Sequence, residues 1–428
     1  MDVRKLISEM TLEEKASLLS GKDFWHLKGV ERLGVPSVMV TDGPHGLRKQ
    51  AGEADHLGLN ASVPATAFPT AAALACSFDR GLVEEVGQAL GDLCQQEDVS
   101  VILGPGANIK RSPLCGRNFE YFSEDPFLTG EMAAAHIRGV QSRNVGASLK
   151  HFAMNNQEHR RMSTSAICDE RAKREIYLAG FERAVKKGKP WTVMCSYNKI
   201  DGVYSSENPW LLRKVLREEW GFEGYTMTDW GACADHVKGV EAGMDLAMPA
   251  LGDGADQEIV DAVRSGRLDE KWVDEAAERI LTVNFRYLEN HRKDPDFDLG
   301  VQHHLARKAA RECAVLVKND GALPLASKGR IAFIGAFAEA PRYQGSGSST
   351  STPTKSPPRW TRCARWPRWT TRRASLPNPT TWIPPCRPRP SRWRRTPTPR
   401  CCSWACRTPL SPRALTAPTC ACRTTSLR

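Results

Sequence analysis

WTVMCSYNKIDGVYSSENPWLLRKVLREEWGFEGYTMTDWG, residues 191–231, contains one strand–helix–strand repeat. The runs at 191–198 and 224–231 are short, largely apolar at their start and polar at their end, as expected for strands buried on both faces. The stretch between them, PWLLRKVLREEWG (209–221), is predicted to be a helix. Two strands joined through a helix in this way indicate a parallel sheet.

The same alternation continues on both sides of this repeat. Further strands are predicted at SVMVTDG (37–43), SVILGPG (100–106), VGASLKHF (145–152) and AGMDLAMP (242–249), with FPTAAAL (68–74) and a late segment as weaker candidates. Helices are predicted between them, for example over 81–96 and 170–188. The number and spacing of these segments predict an α/β fold of the (β/α)8 TIM-like barrel type over residues 1–290.

The chain beyond the barrel is predicted in three parts. A charged linker covers residues 291–329 and includes a helical stretch. The apolar run RIAFIGAF begins the first strand of a truncated α/β sandwich domain, predicted at 330–355. The tail from 356 to 428 has 16 Arg and 14 Pro but no Lys, Asp, Glu or Gly, and is predicted to be irregular.

Polar side chains stand at the carboxyl ends of several predicted strands: Asp42, Lys150, His151, Tyr197 and Asp229. In a barrel of this type the active site lies at that edge. Any one of them could be an ordinary strand-to-loop residue, but as a set they predict a site.

Five long motifs occur in series: TDGPHGLR (41–48), GRNFEYFSEDP (116–126), KHFAMNNQEHRRMS (150–163), MCSYNKIDG (194–202) and GYTMTDWGA (224–232). Together they resemble the successive signatures of glycoside hydrolase family 3, of the β-glucosidase type. The resemblance covers roughly residues 1–355. It implies retaining hydrolysis of terminal non-reducing β-D-glucosyl residues from β-glucosides or short β-linked oligosaccharides, without metal or organic cofactor.

Glycoside hydrolysis of this type uses two carboxyl groups that flank the scissile bond. The resemblance places the nucleophile at Asp229, in the TDW motif. Taken alone, an Asp after a strand is better explained as the cap of the following helix, and only the resemblance reverses this interpretation. The resemblance also implies a set of sugar-binding residues: Asp42, Arg117, Lys150, His151, Arg161 and Tyr197. Trp230, next to Asp229, is an aromatic residue that can stack on a sugar and is predicted to bind the substrate. Arg160, beside Arg161, is an alternative for that position.

The same motifs argue against some other activities and leave others open. EHRR (158–161) lacks an HExxH spacing, and no glycine-rich phosphate loop precedes it, which argues against a metal or phosphate site. The run KHFAMNN differs from the KHFPGHG-type segment of family members that are N-acetylglucosaminidases. A β-xylosidase-type activity stays open, and so does a non-catalytic sugar-binding remnant.

The tail changes the charge balance of the whole chain. The formal net charge is +11, yet residues 1–355 alone carry 44 basic and 49 acidic side chains. Shifting the codons of residues 411–427 by one base permits the reading ESEGFDR, which resembles the family's acid/base motif and is absent from the chain. We therefore expect a frameshift near residue 356 and an impaired chain. The competing interpretation is an Arg- and Trp-rich tail that binds nucleic acid or a membrane surface.

The remaining features predict cellular context. The N-terminus has no apolar h-region, and no stretch is long and apolar enough to span a bilayer. The seven cysteines of residues 1–355 form no CxxC or Cys/His metal spacing. We expect a cytoplasmic protein that has a β-glucoside substrate and neither nucleic-acid nor membrane partners; the oligomeric state is left open.

Overall fold

The computed structural model describes residues 1–50, 52, 60–292, 297–326, 332–333, 337, 342–354, 370–371 and 401–402. The chain divides into two compact units. The first comprises Met1–Lys318 and Tyr343–Ser356, and the second comprises Asn319–Arg342 and Pro357–Arg428. The domain boundaries predicted at residues 290, 329 and 355 stay predictions.

A parallel sheet forms the centre of the first unit and curls into a half-barrel. Its strands are β1 (Val40–Asp42), β2 (Val101–Leu103), β3 (Gly146–Phe152), β4 (Thr192–Cys195) and β5 (Tyr225–Thr228). They lie side by side in chain order, and every residue in them is buried. Each crossover therefore moves the chain one position along the sheet, as the strand–helix alternation of the sequence predicts.

Isolated bridges extend the pairing beyond the last strand of this sheet. Met227 in β5 is bridged to Leu246, and Ala247 is bridged to Ser20, both in parallel. His26 is bridged in antiparallel fashion to Met39, directly before β1. The predicted strand at 242–249 is thus present only as these bridges. Among the described residues this sheet has five strands, fewer than the eight of the predicted barrel.

One predicted strand is wrong. FPTAAAL (68–74) contributes instead to a helix at Ala71–Ala75. The physical reason lies in its alanines, which have the highest intrinsic helix propensity and none of the β-branching that favours strands.

The helices of the first unit pack around the sheet. Their bounds are Val3–Glu9, Leu12–Ser17, Ala71–Ala75, Arg80–Gln96, Pro126–Gln141, Glu170–Ala172, Ala179–Gly188, His236–Ala242, Asp253–Arg264, Glu270–Leu288 and Leu299–Glu312, with π-helical turns at Lys173–Leu178 and Trp210–Glu219. Aspartates at the N-cap accept backbone N–H groups at many of these helix starts, as at Asp79, Asp125 and Asp235. No helix among the described residues is long and apolar enough to cross a membrane.

Two glycines allow the helices Arg80–Gln96 and Pro126–Gln141 to pack closely. A Cβ atom on Gly139 would lie 2.2 Å from the Glu84 carbonyl oxygen, and one on Gly87 would lie 2.5 Å from the His136 carbonyl oxygen. Both distances are far below van der Waals contact, so larger side chains would push these helices apart.

Short strands complete the described structure. In the first unit they are Pro64–Ala65, Ser165–Ala166, Lys199–Ile200, Val203–Tyr204 and Thr352–Pro353. In the second unit Ala332–Phe333 pairs in parallel with both Thr370–Thr371 and Cys401–Cys402. The strand Ala332–Phe333 falls inside the predicted run RIAFIGAF. Most of the predicted irregular tail lies outside the described residues.

Candidate active site

Asp229 directly follows β5 and is nearly buried, with 9% of its surface exposed. Its backbone N–H donates to the Cys195 carbonyl, and its Oδ1 accepts the Trp230 N–H at 2.8 Å. No helix begins at this point: the next one, His236–Ala242, is capped by Asp235. Helix capping therefore does not explain Asp229, and its carboxylate is free for another role.

Two nitrogen-containing side chains approach the second carboxylate oxygen of Asp229. Arg117 Nη1 lies 3.9 Å from Oδ2, and His151 Nε2 lies 3.6 Å from it. Oδ2 is itself buried without a hydrogen-bond partner among the described residues. A buried oxygen normally has a hydrogen-bond partner, so this one can accept a hydrogen bond from water or from a bound molecule.

His151 is a neutral imidazole in this site. Burial, together with the charges of Arg117 and Lys150, holds its pKa well below the usual range. Its Nε2 lies 2.8 Å from Arg117 Nη2, and its Nδ1 lies 3.0 Å from the Tyr121 hydroxyl. Since a guanidinium can only donate, Nε2 is the acceptor and Nδ1 carries the proton.

Arg117 and Glu120 form a buried ion pair beside Asp229. The Nε of Arg117 donates to Oε1 of Glu120, which is 1% exposed. Burial alone would lower the pKa of Arg117, but the negative charges of Glu120 and Asp229 raise it well above its usual value. Burial would raise the pKa of Glu120, but Arg117 and Lys150 outweigh it and lower that pKa. Both groups are therefore charged.

A second carboxylate, Asp42, stands at the end of β1 between two cations. Its Oδ1 lies 3.5 Å from Lys150 Nζ, and its Oδ2 lies 3.3 Å from Arg48 Nη1. All three side chains are at least nine-tenths buried. Burial raises the pKa of Asp42, while Lys150 and Arg48 oppose that shift.

Arg161, Tyr197 and Trp230 form a connected group next to Asp229. The guanidinium of Arg161 lies over the Tyr197 ring, 4.2 Å from its centroid, and the Tyr197 hydroxyl donates to the Trp230 carbonyl at 2.7 Å. Burial, and then the nearby charge of Asp229, raise the pKa of Tyr197. Arg160 is exposed, so the geometry favours Arg161 over its neighbour.

The Trp230 ring is largely covered by other aromatic residues. Its Nε1 donates to the Phe24 carbonyl at 2.8 Å, and its ring lies 5.3 Å from that of Trp25 between centroids. Only 7% of Trp230 is exposed. That this ring stacks on a sugar stays a prediction.

The structure thus brings the predicted residues into contacting groups at the carboxyl ends of the strands. Two members of these groups, Arg48 and Glu120, were not predicted as site residues. Each stands in a motif already quoted: Arg48 ends TDGPHGLR, and Glu120 follows Arg117 by three positions. For Glu120, the three-residue spacing from Arg117 was the signal in the sequence, because residues three apart in a helical turn lie on the same side. Among the described residues, no three His, Cys, Asp or Glu side chains cluster as a metal site would require.

The curled parallel sheet, with carboxylates and cations at the carboxyl ends of its strands, places this domain in the class of barrel-type α/β domains. The profile described as "Glycosyl hydrolase family 3 N terminal domain" matches residues 23–283. The chain belongs to this family.

Similar proteins and solved structures agree with the family. "Thermostable beta-glucosidase B" of Acetivibrio thermocellus is 61% identical over 83% of this chain and 47% of its own length. "Exo-alpha-(1->6)-L-arabinopyranosidase" of Bifidobacterium breve is 50% identical over 82% of this chain and 47% of its own. The structure of β-glucosidase 3B from Thermotoga neapolitana in complex with glucose has a TM-score of 0.77 and 42% identity, over 83% of this chain and 52% of that one. The chain therefore spans about half the length of these relatives.

Proposed function

We propose that this domain binds a terminal non-reducing β-D-glucosyl residue and hydrolyses its glycosidic bond with retention, with Asp229 as the nucleophile. The observation that carries the proposal is Oδ2 of Asp229, a buried oxygen with no hydrogen-bond partner among the described residues. Arg117 Nη1 stands 3.9 Å from it. A nearby cation favours the ionised carboxylate, and an unengaged lone pair is what attack on an anomeric carbon needs.

The reaction has two displacements. In the first, Oδ2 of Asp229 forms a bond to the anomeric carbon while the bond to the leaving oxygen breaks, and that oxygen takes the electron pair and requires a proton. In the second, water attacks the anomeric carbon, the bond to Asp229 breaks, and the water gives up a proton. Both steps need an acid/base group in addition to the nucleophile.

We expect an impaired chain because the acid/base residue that the family resemblance implies is missing from its tail. Residues 356–428 contain no Asp or Glu, whereas the family resemblance implies an acid/base Glu in the second domain. We attribute the difference to a one-base frameshift near residue 356. Resequencing the locus tests this: a clean read with an unbroken frame through the tail would rule the frameshift out.

The hydroxyl groups of the sugar would be bound by the surrounding polar groups. Sugar hydroxyls donate and accept, so they match a site with both carboxylates and cations. Asp42 supplies a carboxylate held by Lys150 and Arg48, and Arg161 supplies a guanidinium. The relatives whose structures contain glucose support this substrate class.

Covalent trapping tests the nucleophile without the missing acid. A 2-deoxy-2-fluoro-β-D-glucoside with a dinitrophenolate leaving group needs no proton donor, so we expect stoichiometric labelling, located at Asp229 by peptide mapping. The matched control is Asp229→Asn, which keeps the shape of the side chain and should stay unlabelled. Poorly activated aryl glucosides should turn over about 10²–10⁴-fold more slowly than with general acid assistance. Labelling at another residue, or none, would refute the nucleophile assignment.

A second candidate substrate is a pentopyranoside. It is favoured by the relatives named exo-α-(1→6)-L-arabinopyranosidase, which are 50% identical to this chain. Competition separates the candidates: glucose, xylose and L-arabinose are compared for the concentration that halves the labelling rate. Binding of glucose, measured by calorimetry, without any labelling of the wild type would favour the sugar-binding remnant.

The complete barrel is also part of the proposal. The bridges Met227–Leu246, Ser20–Ala247 and His26–Met39 link the segment after β5 to the segment before β1. This path supports a closed (β/α)8-like ring in which irregular segments replace some of the strands.

A further inference from the structure

The segment from 343 to 354 lies within the first unit, although it follows the linker by more than a dozen residues. Its end is anchored beside Pro64–Ala65: Thr352–Pro353 pairs with that strand in parallel, and Thr354 N–H donates to the Ala65 carbonyl at 2.9 Å. The Ser62 hydroxyl donates to Thr352 Oγ1 at 3.0 Å. The segment is therefore bound to the half-barrel domain at a defined position.

The middle of the segment contacts two loops that carry site residues. A Cβ atom on Gly345 would lie 2.1 Å from the Phe119 ring, in the loop of Arg117 and Glu120. A Cβ atom on Gly46, in the loop between Asp42 and Arg48, would lie 2.8 Å from Ser351 Oγ. These close approaches fix the segment against both loops.

One hydroxyl of the segment reaches the buried ion pair. Ser349 is 1% exposed, and its Oγ donates to Oε2 of Glu120 at 3.2 Å. The other oxygen of the same carboxylate accepts from Arg117 Nε. Arg117 in turn places Nη1 3.9 Å from Asp229 Oδ2. The contacts run without interruption from Ser349 through Glu120 and Arg117 to the proposed nucleophile.

We propose that Ser349 is a positioning residue for the nucleophile, acting through Glu120 and Arg117. This inference rests on the proposed function, and it adds a contribution from outside the β/α half-barrel. The carboxylate of Glu120 can rotate about its last side-chain bond, which has a broad torsional preference. A donor on each oxygen fixes that rotation, and a fixed Glu120 holds the guanidinium of Arg117 in one orientation.

The expected effect is on the rate of attack rather than on sugar binding. Hydrogen bonds to charged groups are among the stronger ones in proteins, and small misplacements near reacting atoms are costly. We expect Ser349→Ala to lower the rate constant for labelling by the dinitrophenyl 2-fluoroglucoside about tenfold, since one such hydrogen bond corresponds to at least that factor. The inhibitor concentration for half-maximal rate should change less than about twofold.

The matched control is Ser351→Ala. Ser351 stands two residues away in the same segment and is 3% exposed, but its hydroxyl bonds to Gln344 rather than to Glu120. The experiment uses the full chain and records the labelling rate and the melting temperature of each variant. We expect only Ser349→Ala to slow labelling, although the loss of a buried hydrogen bond should lower the melting temperature of both variants. Equal slowing in both variants, accompanied by equal loss of melting temperature, would show a merely structural role and overturn the inference.

A double variant tests the route of the effect. If Ser349 acts through Glu120, then Ser349→Ala should add little to the slower labelling of Glu120→Gln. Fully additive effects would overturn the inference. Failure of the wild type to label at Asp229 would refute the proposed function itself, whereas wild-type labelling with no effect of Ser349→Ala would refute this inference alone.

Discussion

The guanidinium of Arg117 contacts three groups of the site. It donates to Glu120 and to His151, and it stands beside Asp229. Arg117 has this position because it precedes the short helical turn Asn118–Glu120, which brings Glu120 back to the same side. One side chain thereby sets the charge state of a carboxylate and the tautomer of a histidine.

Removing Arg117 should destabilise the fold as well as the site. We expect Arg117→Ala to lower the free energy of unfolding by about 3–5 kcal/mol at pH 7, because Glu120 would be left as an unpaired buried charge. In the wild type the lowered pKa of Glu120 contributes stability above its unfolded pKa, and this contribution is lost as pH falls. In the variant that pKa should rise, so the penalty should shrink towards acid pH.

Urea unfolding at pH 7 and pH 4.5 measures this difference. The control is Arg80→Ala, whose side chain is 62% exposed although it also pairs with a glutamate, Glu131. Its loss should stay below about 1 kcal/mol. A loss for Arg117→Ala that is equally large at both pH values would contradict the role assigned to Glu120.

Site residues that stand on strands could be predicted from the sequence, whereas those on loops could not. Asp42, Lys150 and Asp229 stand on or just after strands, and the ends of neighbouring parallel strands meet at one edge. Arg48 and Glu120 come from loops, and Ser349 comes from a segment about 120 residues beyond β5. Loop paths depend on packing contacts that alternation of strands and helices does not encode.

At the level of elements, a buried carboxylate joins β5 to two helical segments. Asp245 is 1% exposed and accepts the Thr226 N–H of β5 at 2.7 Å. Arg217, from Trp210–Glu219, donates to it at 2.5 Å, and Arg279, from Glu270–Leu288, donates at 2.9 Å. One buried side chain therefore links both helical segments to the sheet.

Truncation of that carboxylate should loosen the connection. We expect Asp245→Ala to lower the free energy of unfolding by about 3–5 kcal/mol, because Arg217 would lose its carboxylate partner and Arg279 would keep only Glu275. The control is Glu175→Ala, which breaks an ion pair with Arg171 whose side chains are 61% and 83% exposed. It should cost less than about 1 kcal/mol. Equal unfolding midpoints in urea for the two variants would show that the Asp245 network is not a structural link.

The sequence predicted elements well where they were long or repeated. All five strands of the sheet fall inside predicted runs, because buried parallel strands are continuously apolar. The stretch 68–74 was assigned wrongly, since a short run of small apolar residues has no period that separates strand from helix. The stretch 242–249 forms bridges instead of a ladder, a distinction that depends on neighbours distant in sequence.

For the whole molecule, the buried histidines make folding dependent on pH. His45 and His136 are 2% exposed, and burial lowers the pKa of each to about 4. Both ring nitrogens of His45 and Nε2 of His136 lack hydrogen-bond partners among the described residues. Protonation in place would leave a buried charge without compensation, so the folded protein keeps these rings neutral.

This neutrality predicts acid lability in a particular window. The unfolded chain binds a proton at each histidine below about pH 6.5, while the folded chain does not until about pH 4. The contribution of the two neutral histidines to the free energy of unfolding is thus complete above the pKa of a histidine in the unfolded chain, and it is lost as pH falls. Each histidine should contribute about 1.4 kcal/mol per pH unit to that loss.

Unfolding free energies between pH 6.5 and 4.5 test the assignment. His136→Gln removes one titrating group from a position outside the candidate site, and should reduce the slope of stability against pH by about 1.4 kcal/mol per unit. The variant is expected to be less stable than the wild type at pH 7 yet to converge with it on acidification. Since glutamine cannot take up the proton that drives unfolding, parallel slopes for the two proteins would mean that His136 is charged, or solvated, in the folded state.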